Sequence, residues 1–304
     1  MLFRSSRLFP QTATGFQLQS SEFEGLDLEA GHFTEGKEPT TVKSRGELYA
    51  TYAGQTAKSA DFAGGRYAIT DNLSASLYGA ELKDIYRQYY LNTNYTIPLA
   101  SDQSLGFDFN IYRTTDEGKS KAGDISNTTW SLAGAYTLDA HTFTLAYQQV
   151  HGDEPFDYIG FGGNGSGAGG DSIFLANSVQ YSDFNGPGEK SWQARYDLDL
   201  APFGLPGLSF MARYVSGRAI DGSHAPAGGA YNPLGADGRY RPLQGSGGKH
   251  WERDLDLRYL FASGPLKDLS LNVSHLSHRA NAAQAGDDID RLYLIVEYPL
   301  KGSL

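Results

Sequence analysis

The feature that most limits what this chain can fold into is its strict two-residue alternation. In Trp130-Ser131-Leu132-Ala133-Gly134-Ala135-Tyr136-Thr137-Leu138, the large apolar and aromatic residues fall on even positions and the small or polar ones on odd positions. After Asp139-Ala140 the pattern resumes, with Phe143, Leu145 and Tyr147 against Thr142, Thr144 and Gln148. Side chains of a strand point to opposite faces in turn, so this reads as a hairpin with one apolar face and a very short turn. Leu105, Phe107, Phe109 and Ile111 alternate with Asp108, Asn110 and Tyr112 in the same way. So do Trp192, Ala194, Tyr196, Leu198 and Leu200 with Gln193, Arg195, Asp197 and Asp199. Leu208 to Tyr214, Leu255 to Phe261 and Leu269 to Val273 follow suit.

Composition narrows the class. Twenty Tyr and 16 Phe beside two Met favour β structure. No Cys is present, which removes disulfides, thiolate metal sites and Cys nucleophiles. A net charge of −10 without basic runs argues against a nucleic-acid partner. No apolar run is long enough for a membrane helix. A membrane β-barrel stays open, because its strands interleave lipid-facing residues with polar ones.

Loop lengths separate the remaining candidates. Short connections recur at Phe23-Glu24, Thr70-Asp71-Asn72, Ala100-Ser101-Asp102, Asp139-Ala140, Phe203-Gly204-Leu205-Pro206 and Gly264-Pro265-Leu266-Lys267. Long ones run roughly from Gly36 to Ala60, Gly152 to Lys190 and Ile220 to Lys249. Short turns on one edge and long loops on the other are the layout of an outer-membrane barrel. A soluble all-β protein gives the same periodicity but has no reason to segregate its loops. Aromatic residues at strand ends, among them Tyr67, Trp130, Tyr147, Trp192, Trp251 and Tyr298, suit interfacial girdles. The expected fold is therefore an all-β, transmembrane antiparallel β-barrel. Its strands are expected near 15–21, 25–35, 61–70, 73–82, 87–97, 104–114, 126–138, 141–151, 190–200, 207–218, 251–262, 267–279 and 288–299. That count of about 13 is odd, whereas single-chain bacterial barrels use even numbers. Met1-Leu2-Phe3-Arg4-Ser5 also lacks the apolar stretch of a signal peptide. The expectation is a partial barrel, the C-terminal part of a longer precursor. Residues 1–304 are expected to form one domain, with a constricting loop segment at about 152–190.

With apolar positions facing lipid, the other parity faces the lumen. It carries Arg66, Arg195, Arg213, Arg258 and Arg291 among acids such as Asp27, Glu29, Asp108, Asp197, Asp254 and Asp256. A guanidinium on a wet wall can hold a carboxylate bidentately and pass it on. Alternatively these arginines pair with facing acids and only stiffen the wall.

Longer strings carry a resemblance. Ser6-Arg7-Leu8-Phe9-Pro10-Gln11-Thr12-Ala13-Thr14-Gly15-Phe16, Glu29-Ala30-Gly31-His32-Phe33-Thr34-Glu35-Gly36, Ile85-Tyr86-Arg87-Gln88-Tyr89-Tyr90 and Phe156-Asp157-Tyr158-Ile159-Gly160-Phe161-Gly162 resemble the OprD family of outer-membrane porins. The resemblance covers nearly everything from Ser6 on and is closest up to about Arg213. It implies a monomeric barrel of roughly 18 strands, of which this chain resembles the last 13 or so. It implies passive, substrate-selective uptake of small carboxylate-bearing molecules such as basic amino acids, small peptides and carbapenem antibiotics. Outer-membrane lipid is the other implied partner, and no cofactor or metal is implied. By the resemblance, Ser6 and Arg7 belong to one constricting loop and Tyr52 to another. Tyr158, Asp171, Ser178, Tyr181 and Asp183 belong to the segment between Gly152 and Lys190. Arg7 would receive a carboxylate, Asp171 and Asp183 an ammonium, while tyrosines fix the width. The lumenal basic track is part of the same resemblance, and there the chain departs. Asn272 and Ser274, and Tyr293 in the last strand, stand where family members carry Arg.

No phosphate loop, nucleophile elbow or HExxH motif occurs. His275 and His278 are three apart, which on a strand sends them to opposite faces. His32, Asp84 and Ser172 come in the order His, Asp, Ser, with Ser172 in Gly169-Gly170-Asp171-Ser172. Members of the family have also been classed as serine peptidases, and by resemblance these are the matching positions. Catalysis would need Ser172 Oγ near one His32 nitrogen and Asp84 on the other. An alternative to the channel is therefore a serine-type endopeptidase with this triad, or a truncated porin fragment without function.

Overall fold

A computed structural model describes residues 11–38, 45–162 and 173–299. Sixteen strands account for most of them: β1 (Thr12–Phe23), β2 (Leu26–Lys37), β3 (Leu48–Ala50), β4 (Thr56–Ala57), β5 (Ala60–Thr70), β6 (Leu73–Leu82), β7 (Tyr86–Ala100) and β8 (Gln103–Asp116). They continue as β9 (Ser126–Leu138), β10 (His141–His151), β11 (Ile159–Phe161), β12 (Lys190–Asp199), β13 (Leu208–Asp221), β14 (Ser246–Leu260), β15 (Ser270–Ala280) and β16 (Ile289–Glu297). Thirteen of them form one meander, β1-β2-β5-β6-β7-β8-β9-β10-β12-β13-β14-β15-β16. Every neighbouring pair is antiparallel, as short turns permit. The three short strands β11, β3 and β4 make a separate small sheet out of the loops. The expected strand count holds. Among the described residues, β1 and β16 are the two edges of the large sheet.

Polarity is inverted relative to a soluble protein. Leu145, Phe143 and Trp192 are exposed, while Gln148 on the same strand as Leu145 is fully buried. Asn110, Thr129, Ser131, Ser191 and Glu252 are buried as well. Phe107, which a soluble sandwich would hide in a dry core, is 40% exposed. An apolar exterior is what hydrocarbon demands, and a polar interior is what it permits. Strand-end rings cluster on the outside, with Trp130 against Tyr147, and Tyr214 between Trp192 and Trp251.

Turn chemistry follows the sequence at the short-turn edge. Gly25 and Asp139 both take positive φ, at 71° and 50°, to reverse the chain in two residues. The opposite edge departs from the expected layout at one place. Lys83-Asp84-Ile85 joins β6 to β7 with a tight turn, although it lies on the long-loop side. Asp84 adopts a φ of 64°, and its backbone N–H donates to Glu117 Oε2 at 2.8 Å. Asp84 thus sits in the turn and does not open a strand. Strands β13 and β14 also run further towards the loops than expected, β13 to Asp221 and β14 from Ser246.

The small hydrophobic cores lie among the loops, at the long-loop end of the sheet. One packs Leu48, Ala50, Leu82, Ile85, Tyr86, Ile125 and Tyr231. Another packs Tyr112, Phe156, Tyr158 and Leu175. The wall itself needs no core, because its apolar side faces lipid.

The two faces should respond oppositely to the same substitution. Leu145→Arg on the outer face should cost about 2–4 kcal/mol of folding free energy in vesicles. Thr144→Arg, one residue away on the inner face, should cost less than ~1 kcal/mol. Denaturant titration of the vesicle-inserted protein measures both. Equal costs would contradict the assignment of the faces.

Candidate functional site

The segment after β10 leaves the strand at His151 and folds against the inner face of the sheet. Its backbone needs hydrogen-bond partners there, and the wall's buried polar side chains supply them. Gln148 Nε2 donates to the carbonyls of Asp183 and Phe184, at 3.0 and 2.8 Å. Gln148 Oε1 accepts Asn177 N–H at 2.9 Å, and Ser131 Oγ accepts Ala176 N–H at 3.0 Å. Tyr112 OH accepts Phe174 N–H at 3.0 Å. Glu252 on β14 accepts both Tyr181 and Ser182 N–H at 2.8 Å. The loop is thus sewn to four strands, β8, β9, β10 and β14.

Two carboxylates organise the loop cluster. Asp157 is buried and accepts Tyr52 N–H at 2.9 Å, Ala53 N–H at 2.8 Å, Tyr158 N–H at 2.7 Å and Tyr231 OH at 2.9 Å. It ties the loops before β5, after β10 and after β13 to one point. Burial pushes its carboxyl up, and the Tyr52 and Ala53 N–H groups partly offset this. Asp183 takes three hydroxyls: Tyr52 OH at 2.6 Å and Tyr158 OH at 2.8 Å on Oδ2, and Ser178 Oγ at 2.7 Å on Oδ1. The Tyr52 and Tyr158 rings meet edge to face at 5.9 Å. About a third of Tyr52 reaches solvent, but enclosure of its hydroxyl and then the Asp183 charge hold its pKa well above the usual value. Tyr158 is raised for the same two reasons in the same order. Both phenols therefore stay protonated and donate to Asp183.

The wall arginines divide into two groups. Arg195 is bidentate with Asp197, at 2.7 and 2.6 Å, while Arg213 sets Nε and Nη2 on one oxygen of Asp254, Oδ2, at 2.8 and 2.7 Å. These two are neutralised where they stand. Arg66 reaches Ser74 Oγ at 3.5 Å, Arg258 donates to Ser270 Oγ at 2.8 Å, and Arg291 donates to Tyr293 OH at 3.2 Å. A hydroxyl partner fixes a guanidinium without cancelling its charge. Arg291 also lies over the Tyr181 ring at 5.1 Å, which links the last strand to the loop. Ser274, one of the departures from the basic track, accordingly donates to Gln180 on the loop at 3.1 Å.

Of the residues singled out in the sequence, Tyr52, Tyr158, Ser178 and Asp183 converge on one cluster, and Tyr181 borders it through Glu252. Ser6, Arg7, Asp171 and Ser172 lie outside the described residues. His32 is on the outer face of β2, where its Nδ1 lies 2.6 Å from Asp61 Oδ1 and its ring beside Phe16. Its carboxylate neighbour is therefore Asp61, while Asp84 sits in the β6–β7 turn. Sequence reading missed Asp157, Glu252 and the buried string Glu189–His250–His278. In that string His250 Nε2 lies 2.7 Å from Glu189 Oε1, and His250 Nδ1 lies 2.9 Å from His278 Nε2. His250 also stacks on Phe184 at 4.1 Å, next to Asp183. No local pattern marks these groups, since the contacts that join them to other elements span 28 to 105 residues along the chain. Among the described residues no cluster of His, Asp and Glu is arranged to hold a metal ion.

The comparisons with known proteins agree with this architecture. Residues 1–302 match the model of the family described as outer membrane porin, OprD family. The chain is 76% identical over 296 residues to Porin D of Pseudomonas aeruginosa, covering 97% of this chain and 65% of that protein. It is 32% identical over 297 residues to Porin-like protein GalP of Pseudomonas putida, covering 97% of this chain and 63% of that one. The chain thus spans less than two thirds of the length of each of these relatives. Among solved structures, Pseudomonas aeruginosa OprD superposes with a TM-score of 0.86 at 70% identity, over 98% of this chain and 72% of that one. Pseudomonas aeruginosa OccD3 (OpdP) does so with a TM-score of 0.86 at 35% identity, over 97% of this chain and 69% of that one.

The Asp157 junction makes a local forecast. Asp157→Leu strands buried donors at Tyr52 and Ala53, at about 1–3 kcal/mol for each unpaired group. Amide exchange at those two positions should accelerate at least tenfold, with the β7–β8 ladder unchanged. Hydrogen–deuterium exchange read by mass spectrometry reports both. Unaltered Tyr52 exchange would mean that the junction does not hold the loop.

Proposed function

The chain belongs to the OprD family of outer membrane porins, and from that premise we propose that it serves passive, selective passage of small carboxylate-bearing molecules across the outer membrane. Basic amino acids and small peptides fit the reading, and so do carbapenem antibiotics, which carry a carboxylate. On this reading residues 1–304 are one barrel domain, with the segment at about 152–190 as its constriction.

The observation that carries the proposal is the division of charge across the lumenal side. Arg66, Arg258 and Arg291 are held by hydroxyls and keep their charge available along the wall. A carboxylate can be taken bidentately by one guanidinium and released to the next, because none is buried in an acid pair. At the loop cluster, Asp183 is already engaged by three hydroxyls. A carboxylate offers about four acceptor sites, so an ammonium group finds one site left on Asp183. Neither contact is deep. Selective conduction needs such weak, separable contacts, since a tight site would trap the solute. Asp171 and Arg7 belong to the same proposal as further charges at the constriction, with Ser6 beside them. No energy source is needed, only a concentration gradient.

Liposome swelling with the reconstituted protein tests the reading. Arg258→Ala should lower the rate for a monocarboxylate relative to an uncharged sugar of equal size by about tenfold, the equivalent of ~1.4 kcal/mol. Asp183→Asn should instead slow basic amino acids and leave the sugar alone. Wild-type ratios in both variants would defeat the assignment of these residues to the pathway.

A further inference from the structure

We propose that the outward face of β8 to β15, on its long-loop half, binds phosphate-bearing headgroups of membrane lipid. The inference rests on the membrane placement of the barrel and not on what passes through it.

The chain is acidic, with 35 Asp and Glu against 25 Lys and Arg. Its outward face reverses that balance. The outward parity of β8, β9, β10, β12, β14 and β15, with that of β13 as far as Arg218, contains no Asp or Glu. It does contain Arg113, Lys190, Arg218, Lys249, Arg253 and Arg279, all on the half of the strands nearer the long loops. Lys190 and Arg218 are direct cross-strand partners and both are exposed. Like charges directly opposite each other destabilise a sheet. No side-chain acid partner is found for Lys190, Arg218 or Lys249 among the described residues, so no acid there relieves that repulsion. Arg113 and Arg253 donate to hydroxyls, Ser126 with Thr128 and Ser277 respectively, and have no ion pair among the described residues, although the Arg113 charge acts on the buried Glu154. Arg279 alone has an acid, Asp290 at 2.6 Å across the ladder to β16.

The depth of these cations identifies the ligand. They flank Trp192, Tyr214 and Trp251, whose rings contact one another at 5.6 and 5.9 Å. Aromatic rings of this kind sit at headgroup level, where lipid phosphates lie. Below them the same face continues into exposed Leu145, Leu257 and Val273. A ligand that matches both halves is an amphiphile, with an anionic phosphate against Lys190 and Arg218 and acyl chains along the apolar band. A second copy of the chain would bring the same cations and repel.

Thermal unfolding in an uncharged maltoside detergent, followed by tryptophan fluorescence, tests this. Short-chain phosphatidic acid is titrated in, with diacylglycerol as the phosphate-free lipid and inorganic phosphate as the lipid-free anion. Phosphatidic acid should raise the unfolding temperature of the wild-type chain, and the other two should not. The double variant Lys190→Gln, Arg218→Gln should need at least tenfold more phosphatidic acid for the same rise. It should be no less stable than wild type without lipid, because a repulsive pair has been removed. Lys249→Gln should give a smaller shift in the same direction, and Lys267→Gln at the opposite edge should give none. A wild-type response in the double variant overturns the proposal. An equal response to inorganic phosphate overturns it in favour of a soluble anion. Concentration-dependent self-association that the double variant loses overturns it in favour of a second copy. Solute passage is not measured, so a failure here is separable from a failure of the channel reading.

Discussion

A backbone N–H or C=O group in hydrocarbon has no water to turn to, and everything else in this molecule follows from meeting that demand inside one sheet. Each strand of the meander from β2 to β15 is paired with a neighbour on both sides, and β1 and β16, the edges, with one each among the described residues. With the backbone satisfied by the ladder, side chains on the two faces are released to separate duties. The outer set has only to be apolar, and Leu145, Leu294 and Val296 are among its most exposed members. The inner set is free to be polar, and the protein uses it to receive loop backbone. Gln148, Ser131 and Glu252 act on the 173–189 segment as a neighbouring strand would, but at scattered points. A loop held in this way is fixed without being part of the sheet.

Period-two alternation made the wall legible because one face of each strand meets lipid and tolerates few exceptions. The thirteen strands stand where the alternation put them. Errors gathered at the long-loop ends, where that constraint lapses. In β13 the stretch Ser216-Gly217-Arg218, and in β14 the stretch Gly247-Gly248-Lys249, is no longer apolar on its outer parity. These residues are above the hydrocarbon or against the loop, so nothing forces them to alternate. The tight Lys83–Ile85 turn escaped for a related reason: what stabilises it is Glu117, 33 residues on.

The candidate site was legible only in part, and the boundary is again physical. Tyr52, Tyr158, Ser178 and Asp183 came from resemblance, and the geometry gathers them. What resemblance did not convey is that Asp183 is occupied by hydroxyls, which changes its part from a bare anion to the anchor of two tyrosines. Asp157, Glu189 and His250 left no trace in the sequence, because a buried carboxylate meeting a backbone N–H from another loop has no local signature. The triad of His32, Asp84 and Ser172 was suggested by sequence order and by resemblance, and Ser172 lies outside the described residues. Strand parity sends His32 outward to Asp61 and gives it a lipid-side neighbour in Phe16.

Charge in this protein is sorted by what stands opposite it. On the inner wall Arg195 and Arg213 are direct cross-strand partners, an arrangement as unfavourable as Lys190 facing Arg218 on the outer wall. The inner pair is relieved from within, by Asp197 and by Asp254, whose Oδ2 receives both Nε and Nη2 of Arg213. The outer pair has no such acid among the described residues. Two like-charged pairs on the same two strands, five register positions apart, therefore have opposite environments. One is closed by the protein, and it stiffens the wall at the point where β12, β13 and β14 meet. The other is left open towards the membrane. Arg258, on the same inner face and only four residues beyond Asp254, has a serine in place of an acid. The step from acid to hydroxyl along β14 is what turns a rigid wall into one that still carries a field, and it falls where the loop no longer covers the sheet.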